Sequence, residues 1–267
     1  MVGSQPVESE SSKRWRHAIR RVEFDTTMKY IPMGRDSTVL ELGSGDGYQL
    51  EFLRRRFNRV FAIDPEQPPD RASGFVFSVA EALPFPDDMF DLVYSCCVAE
   101  HLKDRTRTVD EAARVLRPGG YMVHIVPTRL WKATGLIFHP VGYPIYSLET
   151  LHAMTRLPQE QREAKWERGP GVLRGLGWWF YPPIHGEYSS HLAEYSSYAR
   201  KRWVEVLKHP RLECPAVIPL LYYSPFGLLR SRCLSLRVWL AKHGFASSLA
   251  IVLKKVERVS VSSRGAL

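Results

Sequence analysis

VLELGSGDGYQL, residues 39–50, decides how the rest of this chain is read. A short apolar run ends in three glycines at alternate positions, Gly43, Gly45 and Gly47, and a stretch with helical spacing follows. That order suits a strand, a tight turn and a helix arranged so that a ligand approaches bare backbone. In the dinucleotide fingerprint GxGxxG, backbone meets a pyrophosphate and the last glycine lets helix and strand pack closely. Here the spacing is GxGxG, and Tyr48 stands in the third glycine's place, which argues against NAD or FAD. Glu41, just ahead of the loop, would repel a phosphate and attract an ammonium or another cationic group.

On both sides of the loop, strand and helix signals alternate. Ser37–Leu42 is a β-prone run, and Tyr48–Phe57 carries Leu50, Leu53 and Phe57 on one helical face. Arg59–Asp64, Gly74–Val79, Phe90–Cys96 and Tyr121–Val126 read as further strands. Between the last two, residues 104–116 hold Val109, Ala112, Ala113 and Leu116 at helical spacing, with Asp104 or Thr106 as N-cap and Pro118-Gly119-Gly120 as the stop. Strands separated by helices imply a doubly wound α/β fold with a mostly parallel sheet. Upstream, Ser12–Tyr30 is basic and places Trp15, Ile19 and Val22 on one helical face. Past Pro127 the regularity fails. Residues 128–190 are rich in Pro, Gly, Trp and Tyr, with one helix signal near Leu148–Thr155, so an inserted lid or binding segment is expected there. A helix near Leu192–Leu207, a strand near Val217–Tyr223, a basic helix at Leu228–His243 and a strand near Ser247–Val256 then extend the sheet. The expected organisation is a tail over 1–12, a core over 13–127, a lid over 128–190 and a C-terminal continuation of the sheet over 191–267.

Bulk properties narrow the setting. Of 267 residues, 45% are hydrophobic and 24% charged, a composition that buries a core. A formal charge of +9 fits nucleic acid, a membrane surface or an acidic substrate as partner, although dispersed charge also serves only to solvate a face. Cys96, Cys97, Cys214 and Cys233 form no CxxC pair, which suggests neither a disulfide framework nor a zinc site. The opening MVGSQPVESESSKRW has polar and acidic residues where a signal peptide needs an apolar run, so a cytoplasmic enzyme is expected. The most apolar region, Cys214–Leu229, is short and broken by Pro215, Pro219 and Pro225, unlike a membrane span.

Five pieces then match in order: VLELGSGDG, FAID, AEALPFPDDMFDLVYS, AEHLKD and VLRPGGYMVHIVP. Together they resemble the class I S-adenosylmethionine-dependent methyltransferases, in particular the small-molecule branch, over roughly Ser37–Pro127. The resemblance implies a Rossmann-like seven-stranded fold and S-adenosylmethionine as cofactor, whose ammonium and sulfonium suit the loop and its Glu41. It also implies a cofactor set of Glu41, Gly43, Ser44, Gly45, Asp64, Pro65, Ala80, Glu81, Ser95 and Cys96. Glu41, Gly43 and Gly45 would line the methionine end, and Ala80-Glu81 would pass the adenine. Asp64, at a second strand's end about twenty residues past the glycines, is also well placed by its position to accept both ribose hydroxyls; the alternative is a helix N-cap before Pro65. Many relatives carry an acidic residue where this chain has Val79, so Glu81 or backbone groups would have to meet the adenine amine. Pro84, Phe85 and Asp91 read as structural.

Methyl transfer to a hydroxyl needs alignment and a proton acceptor. His101, after the fourth strand, is the leading base, and His185 and His191 in the aromatic segment WWFYPPIHGEYSSHLAEY (178–195) are further catalytic candidates. His139 and His124 have weaker claims, His124 as packing within a strand. Some quinone-ring O-methyltransferases carry Glu-x-x-Glu-His here and bind a metal; Cys97 takes the first position, and no metal is expected. O-methylation of a small metabolite, glycan or lipid-linked intermediate is the expected reaction. Nucleic acid is disfavoured because Ser95-Cys96-Cys97-Val98 replaces the Asp/Asn-Pro-Pro-aromatic signature of exocyclic amine methylation, and Cys214-Pro215 reverses the Pro-Cys of cytosine-C5 enzymes. RNA-directed methylation, at ribose or another target, and a non-catalytic cofactor-binding or interaction protein remain the alternatives. Val217–Leu229, followed by Arg230, Arg232, Arg237 and Lys242, offers a peripheral membrane surface, with buried core as the other reading. The oligomeric state has no signal.

Overall fold

A computed structural model describes residues 10–45, 47–66, 73–155, 182, 184–223 and 233–256, leaving aside the side chains of 10–12 and 143–155. Among these, helix α1 (Glu10–Thr27) and a 3₁₀ turn (Met28–Tyr30) lead into β1 (Thr38–Leu42), α2 (Tyr48–Arg56), β2 (Arg59–Asp64), β3 (Phe75–Phe77) and β4 (Phe90–Cys96). Next come α3 (Arg105–Val115), β5 (Leu116–Pro127), α4 (Arg129–Thr155), α5 (His191–Ser197), α6 (Arg200–Val206), β6 (Leu212–Leu221), α7 (Leu234–Lys242) and β7 (Ser248–Lys255).

The seven strands form one sheet in the order β3-β2-β1-β4-β5-β7-β6. Every pairing among β1 to β5 is parallel. Successive strands lead one way from β1 to β3 and the other way from β4, so the order reverses between β1 and β4. That reversal marks the crevice at which open α/β sheets bind ligands. The burial agrees: all five residues of β1 are buried, as are all of β4 except Asp91, the near-continuous apolar run of strands covered on both faces. Phe61, Phe85 and Phe90 meet edge to face, with centroids 5.0 to 5.9 Å apart.

Two compact units are distinguished. One comprises Met28–Val126, Arg200–Ile218 and the chain from Ala250 on, and holds most of the sheet. Its core is built on Leu40, Leu53, Phe90, Leu92, Leu116 and Trp203. The other comprises the chain through Thr27, Pro127–Ala199 and Pro219–Leu249. In it Thr128 caps α4, its hydroxyl accepting from the Trp131 amide at 3.3 Å and donating to the Ala246 carbonyl at 2.7 Å. The Lys132 ammonium and the Glu194 carboxylate, both buried, pair α4 with α5.

Three segments differ from the sequence reading. The expected irregular run after Pro127 begins as the 27-residue helix α4. Proline lacks a donor and crowds the preceding turn, yet Pro140 and Pro144 both lie within the span of this helix. Residues 156–181 and 183 of the expected lid lie outside the described residues, as do 224–232 of the apolar and basic stretch. Secondly, Pro118-Gly119-Gly120 does not separate helix from strand. β5 already starts at Leu116, and its register with β4 shifts between the pairs Phe90 with Leu116 and Leu92 with Tyr121. The extra residues bulge out of the ladder, with Gly119 at φ 77°. Thirdly, the single helix expected near Leu192–Leu207 is two, broken at the buried Tyr198. Pro215 and Pro219 occupy β6 at the sheet's edge, where a missing donor is tolerated.

Candidate functional site

The loop after β1 is shaped by its glycines. The amides of Gly43 and Ser44 both donate to the Ile63 carbonyl, at 2.9 and 3.1 Å, tying the loop to β2. Gly43 has φ 69°, and a Cβ on it would come within 2.5 Å of Val98 Cγ2. Gly45 has φ 51°, and a Cβ there would meet nothing within 4 Å, so this side of the loop faces open space. The Gly45 amide donates instead to Asp64 Oδ2 at 2.8 Å. Asp64 Oδ1 accepts the Glu66 amide at 2.9 Å, spanning the exposed Pro65. The buried carboxylate is therefore braced by two backbone donors at the carboxyl end of β2. Whether it also caps a helix is a matter of 67–72, outside the described residues.

Glu41 is buried on β1, in register between Ala62 of β2 and Tyr94 of β4. Next to the loop, Ser44 Oγ is buried and makes no hydrogen bond among the described residues. A buried carboxylate, an unsatisfied hydroxyl and open space above glycine together fit a ligand that is cationic and carries polar groups of its own.

The segment after β3 supplies the next wall. Ala80 is buried, whereas Val79 is 46% exposed and Phe77 69% exposed. The Glu81 carbonyl accepts from Arg107 Nε at 2.9 Å. Glu111 accepts the Leu83 amide at 2.8 Å, and Arg114 donates to the Leu83 and Phe85 carbonyls and to Asp87. The Arg114 guanidinium bonded to Glu111 lowers the pKa of that carboxyl, and the same bond raises that of Arg114. These α3 side chains clamp the loop, a role for which the sequence held no local signal.

At the end of β4, Ser95 and His124 are paired in register, and Ser95 Oγ lies 2.6 Å from His124 Nδ1. Burial pushes the His124 imidazole down to about 4, so it stays neutral at physiological pH. The Ser95 hydroxyl is thus engaged inside the sheet. Cys96 is buried, and Cys97, at φ 55°, donates its amide to Ile125 at 2.8 Å. The following turn closes through the His101 amide on the Val98 carbonyl at 2.9 Å, while Arg105 holds the Ala99 and Glu100 carbonyls. His101 is exposed.

Comparison with known proteins gives this geometry a family. Residues 40–124 match the family model of the methyltransferase domain, a span that contains the whole expected cofactor set and His101. Over these residues the chain has the character of a class I S-adenosylmethionine-dependent methyltransferase domain. A probable S-adenosylmethionine-dependent methyltransferase of Mycolicibacterium smegmatis is 36% identical over 110 residues, covering 38% of this chain and 42% of the relative. A sarcosine/dimethylglycine N-methyltransferase of Halorhodospira halochloris is 30% identical over 149 residues, covering 51% and 53%. The chain thus spans about half the length of these curated relatives, or less. Among solved structures, a Haloferax volcanii putative methyltransferase complexed with the activator Trm112 superimposes with a TM-score of 0.52 at 16% identity, covering 92% of this chain and 95% of that one, which supports the fold.

The methyltransferase domain holds His101, but His185 and His191 belong to the other compact unit. There the His185 amide donates to Glu194 Oε2 at 3.2 Å, the Tyr198 hydroxyl donates to the His185 carbonyl at 3.3 Å, and the His185 ring lies against Trp131 at 5.1 Å. His191 Nδ1 is 3.7 Å from Glu194 Oε2. Burial and the Lys132 charge lower the His191 pKa, partly opposed by Glu194. The buried pair of Lys132 and Glu194 that organises both histidines was not legible beforehand, because neither residue stands in a recognisable motif.

Among the described residues, no helix is long and apolar enough to cross a membrane.

Proposed function

We propose that this chain transfers the methyl group of S-adenosylmethionine to an acceptor oxygen on a small metabolite, a glycan or a lipid-linked intermediate. The observation that carries the reading is the Gly45 amide locked on Asp64 beside the buried Glu41 and the unsatisfied Ser44 hydroxyl. When bound, the cofactor supplies an electrophilic methyl carbon on a positively charged sulfur. Asp64, fixed in place by the Gly45 and Glu66 amides, accepts hydrogen bonds from the ribose hydroxyls. Glu41 and the bare loop at Gly43 and Gly45 receive the methionine end, and Ser44 gains the partner that its hydroxyl lacks. Ala80 and Glu81 pass the base, with Val79 contributing surface only. Ser95 and Cys96 contribute backbone at the β4 end, since the Ser95 hydroxyl is taken by His124.

His101 removes the acceptor's proton, from a turn that Arg105 fixes to the strand end. Alignment of the reactants supplies most of the acceleration, and such a base adds roughly 10²–10⁴-fold. Oxygen is favoured over exocyclic nitrogen of a nucleobase by Ser95-Cys96-Cys97-Val98, which offers no Pro-Pro-aromatic clamp for an amine.

The test is to incubate the full chain with methyl-labelled S-adenosylmethionine and hydroxylated metabolites, glycans, lipid extracts and RNA in separate reactions. Label on oxygen in one of the first three classes is the expected result. Label recovered only on nitrogen or on RNA would overturn the acceptor assignment, and no transfer to any class would overturn the enzymatic reading.

A further inference from the structure

Arg237, in the first turns of α7, is 4% exposed. Its Nε and Nη1 are buried and meet no hydrogen-bond acceptor among the described residues. The guanidinium lies over the Trp15 ring, 4.6 Å from its centroid, within the same compact unit. The groups acting on it electrostatically are the Cys233 thiol and the Tyr222 hydroxyl, and no ion pair with a carboxylate is formed among the described residues. Burial lowers its pKa, yet an arginine keeps its charge under all ordinary conditions. A buried cation without an acceptor is costly, and natural proteins rarely keep one without use. Of the two readings the sequence offers for Arg237, a peripheral membrane surface or buried core, the burial of this side chain fits the second.

The guanidinium is not alone at this end of the helix. Side chains on a helix lean toward its N-terminus, which directs the Arg237 side chain back along the turn that begins at Cys233, the N-cap residue four positions earlier. Cys233 has φ 55°, and its side chain caps no amide. First-turn amides that Cys233 leaves uncapped and the positive end of the helix dipole thus lie on the side toward which the guanidinium fork is directed. Two independent sources of positive potential converge on one spot, with donors left to spare.

We propose that Arg237 and the N-terminus of α7 form a binding site for a phosphate group, with Trp15 holding the guanidinium in place. A phosphate offers enough acceptor oxygens to satisfy both the fork and the helix amides, and it neutralises the buried charge. The site stands apart from the methyl-transfer reading and does not depend on it.

The experiment uses the full chain and an Arg237→Met variant, which keeps the apolar stem and removes a charge whose burial opposes folding. Thermal midpoints are compared in inorganic phosphate and in chloride of equal ionic strength. In parallel, flotation is measured with phosphatidylglycerol and phosphatidylcholine vesicles. The expected result is that phosphate raises the midpoint of the native chain and not that of R237M, or that phosphatidylglycerol vesicles retain the native chain and release R237M. The first identifies a free phosphate compound as the ligand source, and the second a lipid headgroup. If native and variant respond alike in both arms, the site does not exist. Should R237M not fold, broadening of the ³¹P resonance of phosphate by the native chain decides the same question, and its absence overturns the proposal.

Discussion

Asp64 Oδ2 accepts the Gly45 amide at 2.8 Å, so the end of β2 and the loop leaving β1 are held as one piece. The carboxylate is preorganised before any ligand arrives. Replacing Asp64 by Ala removes this brace together with the acceptor proposed for the ribose. Hydrogen bonds to charged groups contribute about 1.5–3 kcal/mol, which corresponds to a loss of roughly 10- to 100-fold in S-adenosylmethionine affinity. Asp64→Asn, which keeps an oxygen for Gly45 but not the charge, should fall between the two in a calorimetric titration.

Gly43 and Gly45 separate steric from conformational demands. Both have positive φ, which costs an alanine about 1–2 kcal/mol. Only at Gly43 would the new Cβ also strike Val98, a stiff β-branched side chain, at 2.5 Å. Gly43→Ala should therefore destabilise the chain more than Gly45→Ala in urea unfolding, by a further overpacking term of about 1–3 kcal/mol. Adding Val98→Ala should recover that term and leave the φ cost. Equal effects of the two single variants would show that Val98 gives way freely.

His124 makes stability depend on pH. Its folded-state pKa of about 4 lies below the ordinary 6.5, so the folded protein prefers the neutral ring. The stabilisation is complete above about pH 6.5 and is lost as pH falls toward 4, because the unfolded chain takes up the proton first. The loss amounts to something on the order of 3 kcal/mol for so deeply buried a group. His191 and His209, whose pKa values burial also lowers, act in the same sense. Denaturant titrations at pH 7.5 and 4.5 should show the drop, and His124→Gln, which preserves a partner for Ser95, should reduce it.

The turn that carries His101 tests the chemistry apart from binding. His101→Ala should leave S-adenosylmethionine affinity within a factor of about two and lower kcat by roughly 10²–10⁴-fold with the acceptor found for the native chain. Unchanged kcat would remove His101 from the mechanism.

Much of this architecture is written in local pattern. Arg59–Asp64 and Phe90–Cys96 are strands within the limits their short, β-prone apolar runs suggest, and Asp104 caps α3 through the Arg107 amide at 2.9 Å. Such elements depend on neighbouring residues, and neighbouring residues are what a sequence displays. The failures share a physical cause, tertiary context overruling local propensity. Pro140 and Pro144 sit within α4, which Thr128 caps from a position bonded to Ala246. Pro118-Gly119-Gly120 is a bulge because β4 is there to pair on either side of it. The glycine loop could be recognised from spacing alone, but its geometry rests on Val98 and Asp64, brought to it by β4 and β2. Lys132 and Glu194, 62 residues apart, meet only once α4 and α5 have packed.

The central claim is that the loop of residues 43–47 with Asp64 holds S-adenosylmethionine. Isothermal titration of the native chain with S-adenosylmethionine tests it most directly. One binding site per chain is predicted, with S-adenosylhomocysteine competing for it and Asp64→Ala weakening it. No binding to the folded native chain, or binding that Asp64→Ala leaves unchanged, would contradict the account.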